Sequence, residues 1–172
     1  MSALHVHRCV FRSFLISVLL ALSAASLAQA SNKAVDDFVA QAHKAMTSGK
    51  PQEAVSLLRK AIDLEPTRAE LYLMRSRALD SSGKMDAALE DANKYIELAP
   101  NDAFGYLNRS RVYMSMEKSQ LALADATKAI ELEPNEPDGY FRRSDIYSDM
   151  GKDAEAKADE AKAEELDRKA RR

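Results

Sequence analysis

The heptapeptide KAIELEP, Lys128 to Pro134, has two near-copies in the same chain: KAIDLEP at Lys60 to Pro66 and KYIELAP at Lys94 to Pro100. Pro66, Pro100 and Pro134 stand 34 residues apart. Proline cannot continue a helix, so each copy reads as the close of one, with Ile130 and Leu132 turned to a core and Pro134 stopping it. A helix ending written three times at one spacing points to an internal repeat, and the period is the first thing to test.

Laid out in blocks of 34, the chain divides into 35–68, 69–102, 103–136 and 137–170, and the columns agree. Phe38, Tyr72, Tyr106 and Tyr140 hold the fourth place; Ala42, Ser76, Ser110 and Ser144 hold the eighth. Ala54, Ala88, Ala122 and Ala156 hold the twentieth; Leu64, Leu98, Leu132 and Leu166 hold the thirtieth. The fourth, eighth and eleventh places share one face of a helix, and the twentieth, twenty-fourth and twenty-seventh share a face of a second. Alanine or serine at the eighth and twentieth places lets two backbones come close, with the aromatic filling the gap beside them. Gly49, Gly83 and Gly151 at the fifteenth place supply the left-handed residue of the turn between them. Each block is therefore expected to be a helical hairpin.

These residues resemble the tetratricopeptide repeat (TPR) family, whose blocks are 34 residues long with small, aromatic and proline positions at these places. The likeness covers nearly all of the chain after residue 30. It implies an all-α fold: a right-handed α-solenoid of four hairpins, eight antiparallel helices of about 14 residues, each about 21 Å long. In such arrays each repeat touches only its neighbours, and the last helix serves as a polar cap. Ala156, Ala163 and Leu166 keep the inward spacing in the last block, while Glu160 stands where Ala92 and Ala126 stood and Arg168 replaces the proline. The basic residues from Arg168 onward suit a helix C-terminus.

Two columns depart from the family together. The seventh place carries Arg75, Arg109 and Arg143, and the twenty-third carries Asp91, Asp125 and Asp159; the first block has Gln41 and Leu57 there. Joint change is expected of an ion pair inside each repeat, with ligand binding by the arginines as the alternative. Glu117 replaces the turn glycine of the third block; a left-handed backbone there costs a non-glycine residue about 1–2 kcal/mol.

The first thirty residues differ in kind. They contain no acid, carry Arg8 and Arg12, run apolar from Phe14 to Leu27 and end Ala28-Gln29-Ala30. That is the three-part pattern of a secretory signal, with cleavage expected between Ala30 and Ser31; a retained anchor is the alternative. Removing it takes away Cys9, leaving a chain that can form no disulfide. It also leaves 23 basic residues (25 less Arg8 and Arg12) against 27 acidic ones, a net charge of −4. The sequence thus expects an exported, periplasmic domain with no field for nucleic acid and no stable membrane span after cleavage.

Catalytic chemistry finds little to work with. His43 is the only histidine after residue 30, so no two-histidine metal site can form, and no cysteine is left as nucleophile or zinc ligand. The pairs Gly49-Lys50, Gly83-Lys84 and Gly151-Lys152 lack the glycine spacing and the following Ser or Thr of a phosphate loop. Neither an enzyme nor a cofactor is expected.

What remains is a surface. In the TPR family the first helix of each repeat lines a concave groove. The places that face it fall here on Leu73, Met74, Phe104, Leu107, Met114 and Phe141, with Arg77, Arg111 and Arg142 among them and Asn108 between. An apolar set of that size left bare marks a binding surface. The expected occupant is an extended or helical protein segment, its apolar side chains on Leu, Met and Phe and an acidic group or terminal carboxylate on the arginines. Some TPR proteins grip a carboxylate with a Lys-Asn-Asn-Lys-Arg set. Asn108 and Arg142 match two of its places; Leu73, Arg77 and Asp138 occupy the other three and do not. Two alternatives stay open: burial of the apolar places against neighbouring repeats, and a spacer or homo-oligomer whose groove holds another copy. The expected role is a protein-interaction scaffold in a bacterial envelope assembly, or else a non-catalytic accessory subunit of an envelope enzyme.

Overall fold

A computed structural model describes residues 29–171, and all the regular structure in that range is helical. Helix α1 covers 29–47 of the described residues. It is followed by α2 (Pro51–Leu64), α3 (Ala69–Ser81), α4 (Met85–Leu98), α5 (Ala103–Ser115), α6 (Ser119–Leu132), α7 (Pro137–Asp149) and α8 (Asp153–Ala170). Most of the segment read as a signal lies outside the described residues. Gln29 and Ala30 are helical and continuous with α1. No helix among the described residues is long and apolar enough to cross a membrane.

The repeated heptapeptide ends α2, α4 and α6 as its prolines require. Glu65, Ala99 and Glu133 each precede a proline and leave the helix at φ near −131, −136 and −132°. The ring of the following proline clashes with a helical predecessor, so the chain leaves the α conformation at that residue, with ψ of 75, 67 and 71°. Arg168 puts no such stop in the last block, and α8 runs to 18 residues where α2, α4 and α6 have 14. The eight expected helices are present among the described residues, but not at equal length: α8 runs on for want of a proline, and α1 is longer than 14 residues as well.

The inter-helix turns are alike. Gly49, Gly83 and Gly151 have φ of 70, 75 and 70°, and Glu117 takes the same left-handed conformation at 58°. Glu117 N–H donates to the Met114 carbonyl at 2.9 Å and Lys118 N–H to the Tyr113 carbonyl at 2.8 Å. That 5→2 and 6→1 pair is a Schellman C-cap, and Glu117 completes it at a conformational cost that its glycine counterparts avoid.

The eighth-place serines explain why that column is polar. Ser76, Ser110 and Ser144 donate across the hairpin to the carbonyls of Ala88, Ala122 and Ala156 at 2.8, 2.9 and 2.9 Å. The fourth-place tyrosines join one repeat to the next: Tyr72, Tyr106 and Tyr140 donate to the carbonyls of Pro66, Pro100 and Pro134 at 2.9, 3.0 and 3.2 Å. The aromatic and proline columns are thus two ends of one bond.

Successive repeats approach closely at the third place. A Cβ on Gly105 would lie 2.6 Å from the ring of Tyr95, and one on Gly139 would lie 2.7 Å from Ile130 Cγ1. Only glycine allows α5 and α7 to seat this deeply on the preceding helix. Tyr95 in turn donates to Asp102, whose other oxygen accepts from Phe104 N–H at 2.9 Å and caps α5. Burial first, and the Asp102 carboxylate second, hold the Tyr95 phenol protonated above the usual tyrosine range.

From α2 onward each helix packs on the next in sequence, and α3, α5 and α7 also pack on one another in a row. The array therefore closes toward α3, α5 and α7, and these form its inner layer. The larger core runs from Val35 in α1 to Val112 in α5; a smaller one gathers Ala122, Ala126 and Ile146. The thirtieth column is less uniform than its sequence: Leu166 is buried, Leu98 and Leu132 are half-buried, and Leu64 is 45% exposed.

Candidate functional site

The arginines of the seventh column are tied inside their repeats. Arg75 donates through Nε and Nη2 to both oxygens of Asp91, each at 2.7 Å. Arg109 does the same to Asp125 at 2.8 and 2.8 Å, and Arg143 to Asp159 at 2.7 and 2.8 Å. Each guanidinium also lies about 5.8 Å from the ring of the tyrosine three residues before it. The bidentate bond is the main reason each arginine holds its proton more firmly than usual, with burial opposing it. Of the two readings of this column, the pair inside the repeat is the one present.

The inner layer carries two adjoining clefts. The inner one, about 240 Å³, is lined by Arg77, Phe104, Leu107, Asn108, Arg111, Asp138, Phe141, Arg142 and Asp145. The edge cleft, about 510 Å³, shares Phe104, Leu107 and Asp138 and continues over Leu132, Glu133, Asn135 and Glu136 at the α6–α7 linker. Phe104 and Phe141 are 47% and 40% exposed, large apolar surfaces that a chain this small does not bury on itself.

Leu73, Met74 and Met114, expected on the same surface, are not among the lining residues. Leu73 and Met74 are half-buried against the larger core, and Met114 is packed on the smaller one. All three are half-buried and keep part of their surface accessible, while Phe104, Leu107 and Phe141 of the expected apolar set line the inner cleft. Asn108 needs a correction of another kind: it is 3% exposed. Its Nδ2 donates to Ser76 Oγ at 2.8 Å, and its Oδ1 accepts from Arg111 Nη2 at 3.0 Å. Asn108 is the strut that holds Arg111, not an exposed donor.

Three arginines converge on the inner cleft. Arg111 Nε stands 3.2 Å from Asp80 Oδ2 without the alignment of a hydrogen bond, and Arg142 reaches Asp145 only at 3.7 Å. The Nε atoms of both Arg111 and Arg142 are buried with no acceptor among the described residues. Burial pulls the Arg111 guanidinium below the usual arginine range; Asp80 opposes the shift, and Arg77 and Arg142 add to it. A carboxylate placed among these three side chains would relieve both the crowding of charge and the unmet donors.

Sequence reasoning named Asp138 only as a mismatch to the carboxylate-gripping set and did not gather it with Glu133, which belongs to the repeated heptapeptide, and Glu136, which follows it, into one acidic rim. It also missed Gly105 and Gly139; glycine twice at one helical place was the available signal. Among the described residues no group of three or more His, Cys, Asp or Glu is placed to hold a metal ion.

Family models of the tetratricopeptide repeat match residues 39–103, and then 105–136 and 137–169. The chain belongs to the tetratricopeptide repeat family. Among solved structures, this TPR chain is similar to a crystal structure of MamA at 26% identity and a TM-score of 0.68, over 79% of this chain and 80% of that one. A thermophilic TPR protein of Thermus thermophilus shares the fold at 19% identity and a TM-score of 0.71, over 77% and 74%. So does the first TPR domain of Spaghetti bound to an HSP90 peptide, at 23% identity and a TM-score of 0.63, over 69% and 94%. Among curated proteins none matches the chain. Membership of a family of generally non-catalytic interaction modules supports a protein-interaction scaffold in general terms.

Proposed function

We propose that this TPR chain is an exported scaffold that seats a segment of a partner protein in the inner-layer groove, within a bacterial envelope assembly. The convergence of Arg77, Arg111 and Arg142 on a cleft flanked by bare Phe104 and Phe141 carries the reading. An acidic side chain or terminal carboxylate of the partner meets the arginines, and its apolar neighbours cover the phenyl rings. The Spaghetti domain is bound to an HSP90 peptide, SRMEEVD, that is rich in acids, and this supports the same use of the fold here. Export rests on the acid-free, apolar segment before Ser31.

Crosslinking from position 107 in the intact cell, followed by identification of the attached protein, tests the site. Leu107→Glu combined with Arg142→Glu is expected to abolish the crosslink from a neighbouring position such as 104 while leaving the helical circular dichroism intact. An unchanged crosslink in the folded variant would move the binding site to another face. Cell fractionation with sequencing of the N-terminus tests export, and a chain that keeps Met1 in the cytoplasm overturns it.

A further inference from the structure

The two clefts are of opposite charge. The edge cleft is lined by Glu133, Glu136 and Asp138 and by no cation. None of these three carboxylates stands within ion-pair distance of a lysine or arginine among the described residues. The inner cleft holds three guanidiniums against Asp138 and Asp145. Phe104 and Leu107 form the floor common to both. A purely acidic segment long enough to cover both clefts would set a negative charge beside the edge carboxylates, and like charges brought together cost affinity. The rim carboxylates are not gathered closely enough to share a metal ion, so the complement they call for is an ammonium or guanidinium on the partner.

We infer that the segment seated in this groove is dipolar, with a basic residue over Glu136 and Asp138, an apolar residue on Phe104 and Leu107, and an acid among Arg77, Arg111 and Arg142. The inference rests on the proposed use of the groove and adds the chemistry of its occupant. Asp138 and Arg142 are four residues apart on α7, about 6 Å along the axis. An extended chain rises about 3.3 Å per residue. The base and the acid therefore stand about two positions apart, with the apolar residue between them.

The test uses ten-residue peptides with Gly/Ser flanks and the cores Lys-Leu-Glu, Glu-Leu-Lys, Ala-Leu-Glu and Ala-Leu-Ala, titrated with the full chain. One of the two dipolar peptides, according to chain direction, is expected to bind about threefold to fivefold more tightly than Ala-Leu-Glu, the range of a half-exposed ion pair. In the Glu136→Gln, Asp138→Asn variant that ratio falls to about one, and in Arg142→Glu the advantage of Ala-Leu-Glu over Ala-Leu-Ala disappears. Equal binding of Ala-Leu-Glu and both dipolar peptides overturns the dipolar inference and leaves the proposed function standing. If no glutamate-bearing peptide binds better than Ala-Leu-Ala, both fall. A dimer in light scattering that Arg142→Glu converts to monomer would assign the groove to a second copy of the chain, and that also overturns the inference.

Discussion

Repeats one and three share a frame and close it with different chemistry. In repeat one the twenty-third and twenty-fourth places are Leu57 and Leu58, and Leu58 is buried in the larger core at 1% exposure. In repeat three the same places are Asp125 and Ala126. Asp125 grips Arg109 with two hydrogen bonds, and Ala126 is fully buried. Repeat one has Ala42 where repeat three has the cross-hairpin bond of Ser110. Apolar burial is strong and indifferent to angle. A bidentate pair fixes how two helices are turned against each other and contributes less net stability, because the desolvation of both ions opposes it. The first repeat holds by volume, and the third by geometry.

The contrast can be broken from either side. Leu58→Ala should have the largest effect, a loss of about 2–5 kcal/mol, because it empties a fully enclosed site. Each block contacts only its neighbours, so hydrogen exchange in α1 and α2 should rise before the urea midpoint of the whole chain moves far. Asp125→Ala comes next, at about 2 kcal/mol. That falls below the loss for a fully buried pair, since the Arg109 side chain keeps 23% of its surface in water. The Arg109→Ala, Asp125→Ala cycle should return a coupling of about 1–2 kcal/mol, and a coupling of zero would mean the pair holds nothing. The smallest change sharpens the comparison: Glu117→Gly gives repeat three the turn residue of repeat one. Urea denaturation should show a gain of about 1 kcal/mol, and a clear loss would mean that the Glu117 side chain does more than its backbone costs.

Much of this was legible in the sequence, for reasons that are local. The pre-proline helix ends, the left-handed fifteenth place including Glu117, and the paired Arg and Asp columns each depend on residues within one repeat. Features set between repeats were harder to read. Asn108 has the composition of a groove donor, yet its partner Ser76 lies 32 residues earlier and takes it into the interior. Leu73 and Met74 sit at groove places by number and are half-buried against the larger core. Leu64 fits a core column and lies 45% exposed, although its column-mate Leu166 is buried. How far a position is covered depends on how deeply one hairpin seats on the next. That depth is governed here by Gly105 and Gly139, which carry no side chain to give a pattern.

The tyrosine bonds to Pro66, Pro100 and Pro134 have a bearing on how such a molecule grows. Each joins the tail of one block to the head of the following one, so a copied stretch of 34 residues brings half of two fasteners with it. A tandem duplication of 103–136 would meet a proline upstream and a tyrosine downstream already in register. Lengthening the array would then need no new interface, and selection could act on the bare residues of the added groove from the first generation.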